Sequence, residues 1–321
     1  MINTLYRTIG NILSPQGEQA RLSILIYHRV LPDTDPLFPY EVTAEIFDKQ
    51  LTELNNIFNV IPLDEAIARL KTCSLPSRSV CITFDDGYAD NVDIALPILK
   101  RHKVNASFFI ATAYLNGGRM FNDTIIHAIR HSRDTQIDLK SYGLGKYNLE
   151  TLEAKHRAIH SILNHVKYLP VEKRDDTAEM LADLISNIPP PTYLMMNTNQ
   201  LKELNDSGMT IGGHTVRHPI LSKLNTVAMR NEIAEGRDYL EAVLGIKVLF
   251  FAYPNGKPGI DYLPEQVDML RKMGFQAALS TQWGTANRNN DIFQLPRFTP
   301  YAKNIFKFTP MLLQNMMRSP S

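Results

Sequence analysis

The chain is 321 residues long, 44% hydrophobic and 21% charged, the balance of a globular protein able to bury a substantial core. Its 34 basic and 33 acidic side chains leave a net charge of +1, which argues against a nucleic-acid partner. The two cysteines, Cys73 and Cys81, exclude a disulfide scaffold and favour a reduced, cytoplasmic setting.

The first residues lack a basic segment followed by a long apolar core, so no secretory signal is expected. No run approaches the roughly 18 apolar residues of a membrane span. Residues 1–13 suit a weakly amphipathic helix, either packed on the domain or in peripheral contact with a membrane surface. Short apolar runs follow at 22–27, 59–61, 79–84, 106–110, 209–211, 248–253, 276–280 and 292–295, rich in β-branched and aromatic residues as buried parallel strands are. Between them, 43–58, 91–102, 226–244 and 263–273 carry helical periodicity, with proline and glycine at their edges. This alternation predicts an α/β fold, a barrel of seven or eight strands.

Residues 116–198 break the rhythm: they are polar, with helical patterns at 123–131, 151–165 and 171–186 and no clear strand. They read as a helical insertion within one domain spanning 1–321. His156 and His160 stand four apart on one of these helices, either as a metal pair or as a solvated face.

Two places carry chemistry. Asp85 and Asp86 close the apolar run 79–84 and precede Gly87, whose freedom in φ would let the chain turn and bring both carboxylates to one site. The bland alternative is a helix N-cap. His214 and His218 follow the run 209–211 and Gly212-Gly213, with a spacing that fits one face of a helical turn. Loop histidines capping carbonyls are the alternative there. One aspartate with two histidines suits a divalent metal with open positions, and the other aspartate is then free to act as a base.

Thr83-Phe84-Asp85-Asp86-Gly87, His214-Thr215-Val216-Arg217-His218-Pro219 and Phe251-Ala252-Tyr253-Pro254-Asn255-Gly256 together resemble the three motifs of the polysaccharide deacetylases, the NodB-homology family also called carbohydrate esterase family four. The resemblance implies a distorted (β/α) barrel that hydrolyses acetyl groups from sugars with a divalent metal, usually zinc, with cobalt, nickel or manganese as alternatives. It implies that Asp86, His214 and His218 hold the metal, that Asp85 is the base, and that the Asn255 N–H holds the oxyanion. Ala252 stands where the family commonly has an orienting arginine, and the late leucine-x-histidine motif is missing, since no histidine follows His218.

The run 23–27 ends in His28, which resembles the poly-N-acetylglucosamine deacetylases whose last strand is permuted to the front; His28 then becomes the general acid. A buried strand-end histidine is the alternative. Arg297, at the end of the final run, could approach Asp85 or lie on the surface, and Trp283 could wall the sugar pocket or pack in the core. The expected activity is de-N-acetylation of an amino sugar in a glycan or glycolipid. The alternatives are an O-deacetylase, a small-amide hydrolase, or a non-catalytic glycan-binding relative.

Overall fold

The structure, a computed structural model, describes residues 2–301 and 304–318. Among these residues nine strands form: β1 (Leu22–Tyr27), β2 (Asn59–Val60), β3 (Ser79–Asp86), β4 (Ser107–Ile110), β5 (Gln136–Asp138), β6 (Lys146–Asn148), β7 (Thr210–Gly213), β8 (Phe250–Ala252) and β9 (Ala277–Leu279). Seven build one sheet in the order β1-β3-β4-β7-β8-β9, with β2 paired to β3, and all pairings in it are parallel. Parallel strands need crossovers, and helices such as Ala44–Ile57 and Thr226–Leu244 supply them.

The sheet curls, and the segment 295–298 spans the gap between its edges. Leu279 bridges to Leu295, and Leu25 bridges to Phe298, both in parallel. The expected strand at 292–295 is therefore corrected to a few isolated bridges: Pro296 interrupts the ladder, because proline has no N–H to donate. The outcome is still a distorted (β/α) barrel, with the first strand beside the last segment.

Side chains alternate across the barrel wall. Ile24, Cys81, Phe109, Ala252, Leu279 and Leu295 form one buried cluster, whereas Leu25, Ile82, Phe84, Phe108 and Phe251 pack in another with the surrounding helices. Phe84 and Phe108 stack with centroids 4.8 Å apart, fixing β3 against β4. Gly212 serves packing rather than a turn: a Cβ there would come within 2.4 Å of the Phe109 ring.

The segment 116–198 holds three helices, Phe121–His131, Leu152–Val166 and Val171–Ile185, packed around their own cluster of Ile125, Ile129, Ile159, Ile162 and Leu181. The expectation of no strand there is corrected: β5 and β6 form an antiparallel pair. These three-residue strands alternate exposed and half-buried or buried positions, too short to leave a readable period.

The first helix, Ile2–Leu13, turns Tyr6, Ile9 and Leu13 onto the core and packs near Ile305–Met316, leaving Ile2, Leu5 and Ile12 exposed. Among the described residues no helix is long and apolar enough to cross a membrane.

Candidate metal centre

Three strand ends build the centre. β3 delivers Asp85 and Asp86. The chain turns at Asp86 (φ +79°) and Gly87 (φ +93°), so two neighbours that would point to opposite faces serve one site. Thr215, His218 and Asn255 also have positive φ, so half of the eight such non-glycine residues described lie around this centre. Strain of about 1–3 kcal/mol each persists only where surrounding contacts over-determine the backbone.

Those contacts are visible at the histidine loop. The His214 N–H donates to the Ile110 carbonyl at 3.1 Å, and the His218 N–H donates to Thr215 Oγ1 at 3.0 Å. Glu232, on Thr226–Leu244, accepts the N–H groups of Val216 and Arg217 at 2.9 and 2.8 Å. That helix can approach because its Gly236 has no side chain: a Cβ would sit 2.9 Å from the Thr215 carbonyl. Arg174, buried on Val171–Ile185, donates to the carbonyls of His218 at 3.0 Å and Arg217 at 2.7 Å. The expected helical turn between His214 and His218 is therefore corrected: the two converge through a clamped loop.

His214 Nδ1 donates to the Ala252 carbonyl at 2.7 Å, which leaves Nε2 to face Asp86 Oδ1 at 3.4 Å. His218 Nε2 lies 3.5 Å from the same oxygen. Asp86 Oδ1 is buried yet takes no hydrogen bond, an orphaned acceptor that needs an explanation. Three donors each about 2.1 Å from one tetrahedral ion stand about 3.4 Å from one another. Asp86 Oδ1 stands 3.4 and 3.5 Å from the two imidazole nitrogens, and the three atoms lie within 4.8 Å of one another. The residues present fit a divalent cation.

The electrostatics agree. Burial raises the Asp86 pKa, but His214 close beside it and the charges of His218 and His28 outweigh it and hold the carboxyl well below its usual range. Burial pushes His218 down to about 3, leaving it neutral with a free lone pair. Burial also lowers His214, but the charges of Asp85 and Asp86 win and raise it, so a cation must displace its proton.

Asp85 stands beside this triad, buried, with both oxygens 2.7 Å from Arg297 Nη1 and Nη2. Arg297 is itself fully buried, donates through Nε to the Ser280 carbonyl at 2.9 Å and reaches Thr83 Oγ1 at 3.3 Å. Burial would raise Asp85, and the Arg297 charge reverses it, keeping the carboxylate ionised. An arginine thus supports Asp85 from the far end of the chain, where Ala252 stands in the third motif.

His28 immediately follows β1, exposed, and its charge acts on both Asp85 and Asp86. The Asn255 N–H has no acceptor among the described residues, while its carbonyl takes a bond from Thr281. Asn255 lines a cavity of about 200 Å³ together with Asp86, His218, Asn122, Asn164 and Lys167. His156 and His160 take no part: one lies against Phe38 and the other pairs with Asn164. Trp283 packs edge-on against Phe298 at 5.3 Å, outside that cavity's lining. Glu232 and Arg174 escaped the sequence reading, because nothing in a helix's charge pattern marks a partner found only in the fold.

Comparison with known proteins places the chain. The polysaccharide deacetylase family profile matches residues 73–278. YxkH of Bacillus subtilis (strain 168), named as a polysaccharide deacetylase, is 22% identical over 280 residues, which are 87% of this chain and 71% of that protein. The Streptococcus pyogenes deacetylase PplD, solved with acetate, superposes with a TM-score of 0.61 at 20% identity, covering 92% of this chain and 98% of that one. IcaB from Ammonifex degensii gives 0.57 at 20% identity, over 95% and 99%. The profile runs through more than half of the sequence and through all three residues of the triad, and the chain belongs to the polysaccharide deacetylase family.

Proposed function

We propose that the protein is a metal-dependent de-N-acetylase acting on N-acetylated amino sugars of a glycan or glycolipid. The observation that carries this reading is a buried carboxylate, Asp85, held ionised by Arg297 at 2.7 Å beside a triad that leaves Asp86 Oδ1 without a partner. A binding protein has no use for a base beside a metal triad. A divalent cation on Asp86, His214 and His218, zinc by its preference for such donors, would supply Lewis acidity toward the acetyl carbonyl and toward water.

The chain's own residues do the rest. Asp85 takes the proton of the attacking water, and Arg297 keeps its oxygens aimed and its charge available. The free N–H of Asn255 donates to the oxygen that becomes negative as the carbonyl turns tetrahedral. His28, solvent-exposed at the end of β1, donates a proton to the departing nitrogen and is recharged from water. Expulsion of an amine needs that proton, whereas expulsion of an activated alcohol does not.

The test is acetate release from paired N-acetylated and O-acetylated oligosaccharides by protein loaded with zinc, cobalt, nickel or manganese in turn. Release from the amides that stops in Asp85→Asn supports the reading. Release from esters alone would move the protein to O-deacetylation, and no release from either, with metal bound, would overturn hydrolysis.

A further inference from the structure

The cavity beside the triad, about 200 Å³, is smaller than the roughly 300–1,000 Å³ of ordinary ligand pockets. It has room for one acetamido sugar, so the rest of any glycan must leave it. A groove of about 610 Å³ adjoins it, running between residues 167–174 and 219–235. Lys167, Arg174 and Ile220 line both spaces, so they mark the junction. Arg174 is committed to the histidine loop and to Asp175. Lys167 is not committed.

Among the described residues no carboxylate lies within 4.0 Å of the Lys167 ammonium and no hydrogen bond takes it; the ammonium sits over the face of Tyr168, 5.5 Å from the ring centroid. The arginines of this region are paired: Arg119 with Glu179 at 2.6 Å, Arg174 with Asp175 at 2.8 Å, Arg217 with Glu172 at 3.2 Å. Burial lowers the Lys167 pKa; Asp261 opposes this from a distance and Lys257 adds to it. A half-buried cation without a partner is costly unless something else supplies the counter-charge. Of the groove's acids, Glu172 is held by Arg217 and Glu232 by two backbone N–H groups, which leaves Glu235 exposed; Lys223 has no ion pair among the described residues.

Resting on the deacetylase reading of the triad, we propose that Lys167 binds an anionic substituent, a carboxylate or phosphate, on the sugar unit next to the acetylated one. The acetamido sugar occupies the small cavity and the chain continues into the groove. Tyr168, half-exposed beside Lys167, offers its ring face to that next unit.

Three disaccharides test this: N-acetylglucosaminyl-glucose, the same with glucuronic acid in second place, and the same with glucose 6-phosphate there. Calorimetry with metal-loaded protein should show the charged pair binding about tenfold tighter or more than the neutral one, the worth of a charge-assisted hydrogen bond. The carboxylate and phosphate arms tell which anion is favoured, and added salt should shrink the preference. Lys167→Met should erase the preference and Lys167→Arg should keep it. Equal binding of all three by wild type, or an equal loss on all three in Lys167→Met, overturns the proposal. Acetate release on the same samples separates the two readings. A Lys167-dependent preference without acetate release sinks the deacetylase reading alone, and equal release without a preference sinks the anion site alone. No binding of any disaccharide overturns both.

Discussion

Three pairs of histidines in this chain stand four residues apart, and they meet different fates. His127 and His131 lie on the helix Phe121–His131 with rings 4.1 Å apart, and His131 Nδ1 turns to the His127 carbonyl at 2.9 Å. His156 and His160 lie on Leu152–Val166 and look to Phe38 and Asn164. His214 and His218 follow β7, and both reach Asp86. The spacing is common to all three. A helix offers a pair only its own face, whereas the end of a parallel strand lies beside the ends of its neighbours, and β3 brings a carboxylate there. Context, not spacing, makes the site.

The largest effect should come from breaking the third pair. His214→Ala, His218→Ala or Asp86→Ala should lose both the bound metal and the activity, because an open three-ligand site has no spare. Elemental analysis of purified protein, paired with acetate release, checks this. The double variant His156→Ala/His160→Ala should keep both, and loss of metal there would erase the distinction between the pairs.

Next come the two groups proposed to move protons. Asp85→Asn should keep its metal and lose activity about 10²–10⁴-fold. Arg297→Met leaves the buried Asp85 charge alone, a loss of about 3–5 kcal/mol of stability read by denaturant unfolding, and adding Asp85→Asn should restore part of it. His28→Ala should hydrolyse amides about 10²–10⁴-fold more slowly and spare an activated ester, whose leaving group needs little protonation. Equal losses on both substrates would remove His28 from the role of acid.

The rim was legible because strands in a parallel barrel leave continuous apolar runs, and the residues after them could be read directly: Asp85 and Asp86 after 79–84, His214 and His218 after 209–211. Arg297 lies outside the family match at 73–278, yet its place at a strand end still pointed to Asp85, and Leu25 against Phe298 shows the setting: the first strand adjoins the closing segment. The segment 116–198 gave its helices by period, but not the β5–β6 pair. Nor could it reveal that Arg174 reaches forward 44 residues to hold the His218 carbonyl. Such a partner is fixed by how one element lies on another, and no local pattern records it.

That clamp gives a smaller test. Arg174→Gln removes the bonds to the Arg217 and His218 carbonyls without touching a ligand atom. Metal affinity or activity should fall about 10–100-fold, the usual worth of groups that orient ligands from behind. No change would mean the rim holds its geometry without the helices of 116–198.

A last test, which touches neither a ligand atom nor the clamp, probes the seam between the two regions through pH. Asp123, in the first turn of Phe121–His131, is buried against Tyr88, whose hydroxyl donates to its carboxylate at 3.2 Å. Burial pushes its pKa up to about 7, and the nearby Asp86 charge acts in the same direction, against the pull of Arg29. The folded chain therefore holds a proton that the unfolded chain releases near 3.8. Stability from this group is fully present in acid and is lost as pH rises from about 4 to about 7, by at most about 1.4 kcal/mol per unit. Asp85, held low by Arg297, contributes in the opposite sense, so only a difference curve isolates Asp123. Denaturant unfolding of wild type and Asp123→Asn across pH 4 to 8 should show the wild type losing ground to the variant through that window. A flat difference would mean that Asp123 is ionised throughout, and that the seam between rim and helices holds a charge rather than a proton.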